Sequence, residues 1–213
     1  MSKKKAKEIL TDFGTVLFLV LFPHFVPLPF YSYAIICFFV LVVVLKRSGR
    51  NLADIGLLKR GMTSKTIVVG IISALIWVAF MRWVFAPLIS FFFTVPDYTE
   101  YDFIRNNISN LIITIVAAWV VGGFYEEVVF RGFIHSTFKK YSNSFWLSAF
   151  FTSVLFGVYH WQQGIFGVAA ATLGGLYWSL VFKYSKENLW STILSHSIFD
   201  TITLLLIYLG LFG

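Results

Sequence analysis

The sequence predicts an all-α fold: a polytopic transmembrane bundle of about seven helices, between roughly six and eight, with its N-terminus on the cytoplasmic side. Three observations predict it. Of 213 residues, 58% are apolar and 20% aromatic, while only 13% are charged. Soluble domains carry about 25% charge. Mean hydropathy is +0.80. Apolar runs of membrane-crossing length recur along the chain, and Lys and Arg gather in the short segments between them. A single core in water could not take up this much Phe, Leu, Ile and Val without large exposed patches. The same figures exclude a disordered chain, a collagen-like chain and a disulfide scaffold.

The runs are read at 10–28, 30–45, 65–93, 107–138, 144–162, 164–183 and 188–212. The first follows Lys3-Lys4-Lys5-Ala6-Lys7, as in a signal peptide. No small-residue cleavage site follows, and the segment continues through Pro23, Pro27 and Pro29 into further apolar sequence, so it is read as a first membrane helix. The second run is short. The third carries Arg82, read as a cation snorkelling to the outer interface, with a gating charge or counter-ion as the alternative. The sixth carries Ala170/Gly174 and Ala171/Gly175, small pairs at i, i+4 that let a neighbouring backbone approach. The last run is long enough to divide in two. With no linker, repeat or low-complexity tract, 1–213 is read as one integral-membrane domain, its motif-bearing half at about 107–212.

Charge sets the orientation. The net charge is +7, and ten of the seventeen basic residues lie in the first 65 positions. Lys46, Arg47, Arg50, Lys59, Arg60 and Lys65 separate the second and third runs, and Lys139, Lys140, Lys183 and Lys186 follow later. The loop Pro96-Asp97-Tyr98-Thr99-Glu100-Tyr101-Asp102 is acidic. Basic clusters inside and the acidic loop outside satisfy the positive-inside rule with seven spans. These clusters fit anionic headgroups, and no soluble basic face exists for a nucleic acid. The single Cys37 lies inside an apolar run, so no intrachain disulfide forms.

A charged side chain at membrane depth costs ~2.5–3.5 kcal/mol even on the lenient insertion scale, so each needs a partner or a wet pocket. Besides Arg82, three groups stand out: Glu126-Glu127 with Arg131, His160, and His196 with Asp200. Glu127 and Arg131 are i, i+4 and meet on one face; Glu126 lies about 100° round. Two acids facing one cation leave one carboxylate free to act as a base, unless both merely brace Arg131. Phe156 is i, i+4 from His160 and walls its pocket. Asp200, i, i+4 from His196, is placed to accept from one imidazole nitrogen and fix the tautomer of the other. His24 is read as interfacial, and His135, i, i+4 from Arg131, as a supporting neighbour of that cation. Counted at helical rise from the basic turns, the three groups fall at a similar depth, which is read as one site.

Such a site suits water activation: a carboxylate and an imidazole deprotonate and position a water against a carbonyl, and a second polar pair stabilises the oxyanion. No serine elbow or Cys–His arrangement is present. His160, His196 and a glutamate could hold zinc, but the His-Glu-x-x-His spacing is absent, and no metal is expected.

In order on separate apolar helices, Glu126-Glu127-x-x-x-Arg131, Phe156-x-x-x-His160 and His196-x-x-x-Asp200 resemble the motifs of the CPBP family. These are the CAAX prenyl proteases and bacteriocin-processing or self-immunity proteins, also called Abi. Gly174-Gly175-Leu176-Tyr177, leading to Leu189 and His196, is similar to the family's approach to its last motif. The resemblance implies a bacterial intramembrane glutamic endopeptidase without metal or other cofactor. Glu126 is then the general base and His160 helps to activate the water. Glu127 and Arg131 orient the base, and His196 with residue 200 stabilises the oxyanion. Asp200 stands where eukaryotic prenyl proteases have Asn; ionised, it cannot donate, so it orients protonated His196 or is itself protonated. The implied partners are the lipid bilayer and a peptide or protein substrate, prenylated or bacteriocin-like, with maturation and immunity both open. A non-enzymatic binding or immunity protein using the same cavity is the alternative. A proton-coupled transporter is less favoured, because paired halves are lacking.

Overall fold

The computed structural model describes residues 3–26, 28–94 and 99–211. Pro27, residue 212 of the last run, and Pro96, Asp97 and Tyr98 of the acidic loop lie outside the described residues. The seven apolar runs correspond to helical rods α1 (Lys3–Phe25), α2 (Ser32–Arg47), α3 (Ser64–Ile89), α4 (Ile108–Ser142), α5 (Phe145–Tyr159), α6 (Gly164–Tyr184) and α7 (Leu189–Tyr208). No strand occurs among the described residues. The all-helical bundle expected from composition is borne out. Five rods, counting α6 with its lead-in turn, are long and apolar enough to cross a membrane; α2 and α5 are shorter. The last run, long enough to divide in two, is instead one continuous helix, α7.

Short polar residues start the rods. Thr63, Asn107, Ser144 and Asn188 each accept a backbone N–H of the first turn of α3, α4, α5 and α7, which satisfies donors that a helix start leaves free. The rods are inside-out compared with a soluble bundle. Phe39, Trp83, Phe91 and Ile113 are exposed, whereas Ser148, Thr192, Ser195, Ser197, Glu127 and Arg131 are buried.

The rods alternate up and down, and their ends are cross-tied. Lys140 Nζ at the end of α4 reaches Glu8 Oε1 (2.6 Å) and Asp12 Oδ2 (2.7 Å) at the start of α1. Arg50 after α2 donates to Ser136 Oγ at 3.0 Å. The Leu189 N–H, opening α7, donates to the Gly56 carbonyl at 3.0 Å. Lys139 pairs with Glu187. The basic segments therefore share one end of the bundle. At the other end the short helix Thr99–Ile104 packs beside the start of α4, where Asn110 Nδ2 donates to the Phe103 carbonyl at 2.8 Å.

Glycines draw the motif-bearing rods together. A Cβ on Gly123 of α4 would meet Ser197 Oγ of α7 at 1.8 Å, and one on Gly157 of α5 would meet Thr172 Oγ1 of α6 at 1.8 Å. Gly175 of α6 would meet Ser153 Cα of α5 at 2.8 Å. This is the small-residue packing expected where no hydrophobic drive separates helix from lipid. Gly175 makes the expected close contact; Ala170 and Ala171 instead line a cavity. Two rods are locally widened. Met81–Phe85 of α3 winds as π-helix just before Pro87, whose missing N–H leaves the Trp83 carbonyl without its usual donor. Ala118–Glu126 and Val128–Ile134 of α4 wind likewise, on either side of Glu127; such widened turns recur at functional sites.

Candidate active site

Glu127 lies at the centre. Fully buried, its Oε1 accepts from His196 Nδ1–H at 2.9 Å and lies 3.1 Å from Arg131 Nη1. The guanidinium, itself buried, sits 4.2 Å over the Phe156 ring and 5.3 Å from the Trp178 ring, a placement that favours a cation on aromatic faces. The His196 ring stacks on Trp178, centroids 3.9 Å apart and planes 20° apart. The Trp178 indole N–H donates to Ser195 Oγ at 3.1 Å. The His196 imidazole is thus fixed in plane by the indole and in rotation by the carboxylate.

The expected His196–Asp200 hydrogen bond is not made. Asp200 Oδ2 is 3.8 Å from His196 Nε2, beyond hydrogen-bond range. Glu127 fixes the tautomer instead: a carboxylate paired with Arg131 only accepts, so Nδ1 carries the proton. Spacing on α7 puts Asp200 one turn above His196, but the glycine contact between α4 and α7 brings Glu127 closer. Gly122 leaves room for Asp200, since a Cβ there would lie 2.7 Å from Oδ2.

His160 ends α5. Its Nδ1–H donates to the Phe156 carbonyl at 2.8 Å, which leaves Nε2 facing Glu126 Oε2 at 3.9 Å. Phe156 stands edge-on to the His160 ring at 4.7 Å and to His196 at 6.1 Å. Glu126 is buried and turned towards α5, whereas the next residue, Glu127, is turned towards α7. The two adjacent acids therefore serve different histidines.

His160, His196 and Asp200 line a cavity of about 1050 Å³ between α3, α6 and α7; Glu126, 3.9 Å from His160 Nε2, does not itself line it. Arg82 lies on the cavity wall, exposed, with Nη1 donating to the Leu211 carbonyl at 3.0 Å. His24 packs edge-on to Tyr159 at 4.8 Å, and His135 is buried against Phe145 at 4.5 Å. Neither lines that cavity; His135 borders a smaller one of about 350 Å³ that Arg131 also lines. Among the described residues, no three of His, Cys, Asp and Glu are grouped so as to hold a metal ion. Sequence spacing gave no hint of Trp178, whose contact with His196 joins α6 to α7, nor of the bond from His196 to Glu127.

Residues 108–202 match the family model described as type II CAAX prenyl endopeptidase Rce1-like, a stretch that runs from α4 into α7 and holds all three motifs. An uncharacterized protein of Mycoplasma capricolum subsp. capricolum is 30% identical over 121 residues, covering 56% of this chain and 33% of the relative. The chain thus spans about a third of the length of that curated relative. No solved structure gives a significant match. With its long apolar helices the chain is a multi-pass integral membrane protein. Over residues 108–202 it is similar to the Rce1-like family, the one that its three motifs resemble.

Proposed function

We propose that the chain is an intramembrane endopeptidase that hydrolyses a peptide bond with a water activated by Glu126 and His160, without a metal. The observation that carries this reading is the 3.9 Å separation of His160 Nε2 and Glu126 Oε2. A water hydrogen-bonded to both at about 2.8 Å spans that gap at close to a right angle. Because His160 Nδ1–H is committed to the Phe156 carbonyl, Nε2 of the neutral ring is an acceptor.

The reaction then runs as a balanced hydrolysis. Glu126 takes one proton of the water while His160 Nε2 accepts a hydrogen bond from the other, and the oxygen bonds to the carbonyl carbon. The oxyanion that develops meets His196 Nε2–H. In this step His196 is imidazolium, with Nδ1–H on Glu127 and its charge flanked by Glu127 and Asp200, while Arg131 neutralises Glu127. Asp200 acts as a neighbouring anion, not as a donor. The C–N bond breaks as Glu126 returns its proton to the leaving nitrogen, giving an acid and an amine. A prenylated C-terminus or a bacteriocin-like peptide fits this chemistry equally.

The test uses the full chain in lipid nanodiscs with a mixture of apolar peptides, products being read by mass spectrometry. Cleavage is expected, and it should be unchanged by EDTA or 1,10-phenanthroline. Loss on chelation that zinc restores would overturn the metal-free mechanism.

A further inference from the structure

We propose that the catalytic cavity opens on the non-cytoplasmic face, so that its substrate is an apolar peptide segment held at the outer leaflet and not a tail delivered from the cytoplasm. The substrate clause rests on the hydrolytic reading above; the orientation does not.

Two independent features meet here. Fourteen of the seventeen Lys and Arg residues lie at 3–7, 46–65, 139–140 and 183–186, the segments tied together at one end of the bundle by the contacts of Lys140, Arg50, Leu189 and Lys139. Only Arg82, Arg105 and Arg131 lie elsewhere; Arg131 is buried against Glu127, and Arg105 pairs with Asp102 at 3.0 Å. Short loops with this bias stay in the cytoplasm. The cavity, in contrast, is lined at its mouth by Ser90 after α3, Glu100 and Tyr101 of the short helix Thr99–Ile104, Gln162 and Gln163 after α5, and Thr203 near the end of α7. All are at the opposite end, and among the described residues no basic-end loop borders the cavity.

The length of α5 adds to this. Fifteen residues rise about 22 Å, less than the roughly 30 Å hydrocarbon core. Starting from the basic end, α5 stops short at His160, and the turn Trp161–Gln163 lies below the far surface. A break between α-helices at that depth is tolerated where it borders a watery cavity, and Gln162 and Gln163 supply the polar lining. Deeper in, Trp77, Met81, Phe166 and Phe199 form an apolar wall suited to a peptide that is itself partly in the lipid.

Single-cysteine chains in a Cys37→Ala background test this in bacterial spheroplasts with a membrane-impermeant maleimide. Gln162→Cys at the mouth, with Trp161→Cys as a second position, should label in intact spheroplasts. Ser48→Cys in the basic loop should label only after permeabilisation, and adding Glu126→Gln should leave both results unchanged. Any other labelling pattern overturns the orientation. In the same spheroplasts, without the Glu126 change, externally added apolar peptides should be cleaved without permeabilisation. Cleavage only after permeabilisation overturns the substrate side while hydrolysis stands; no cleavage in either condition, with labelling as expected, overturns hydrolysis while the orientation stands.

Discussion

Replacing Glu126 by Gln is expected to slow peptide hydrolysis by about 10²–10⁴-fold, the range for loss of a positioned general base, with helix content unchanged. Gln keeps the size and buried packing of Glu126 but cannot take the proton of a water. Among the described residues, Glu126 has one ion-pair partner within 4 Å, His160 at 3.9 Å. His160→Ala should fall in the same range, since it removes the acceptor for the second water proton and leaves the Phe156 carbonyl to water. Product formation by mass spectrometry and circular dichroism on the same samples check both points. A protein that merely captured a peptide in this cavity would bind it as well after the Glu126 change.

Glu127→Ala is expected to destabilise the fold by about 3–5 kcal/mol, the cost of leaving one member of a buried ion pair without its partner. Arg131 is 1% exposed, with no other carboxylate within ion-pair distance among the described residues, so it would be left in a low-dielectric interior against the Phe156 and Trp178 rings. Thermal unfolding in detergent should show the loss. Replacing both members, Glu127→Leu with Arg131→Met, should recover much of it, because apolar side chains of similar volume often match or exceed a buried pair. Activity should not return, since His196 then loses the carboxylate that fixes its tautomer. Stability without activity separates the bracing of Arg131 from the orientation of His196.

Hydropathy alone located the seven rods, because lipid imposes long apolar runs and the chain turns at short polar caps such as Asn107, Ser144 and Asn188. Within a rod, spacing was equally informative: Glu127 and Arg131 meet because they are one turn apart. Between rods it was silent. Helical periodicity ranks Asp200 as the partner of His196, yet the bond goes to Glu127, 69 residues away, through a contact set by Gly123 and Ser197. Trp178 was unreadable for the same reason, since an indole in an apolar run has no signature until α6 meets α7. No Pro marks the π-helical winding of α4 in the sequence between Ala118 and Ile134, a stretch that carries Gly122-Gly123, Glu126, Glu127 and Arg131.

The claim that Glu126 and His160 act on one water is tested most directly by a double-mutant cycle on the hydrolysis rate. Glu126→Gln, His160→Ala and the combination are measured in nanodiscs on the same peptide. Residues acting as a unit are strongly non-additive, so the double variant should be no slower than the slower single one. Losses that multiply would mean that the two side chains contribute separately, and the shared water would be contradicted.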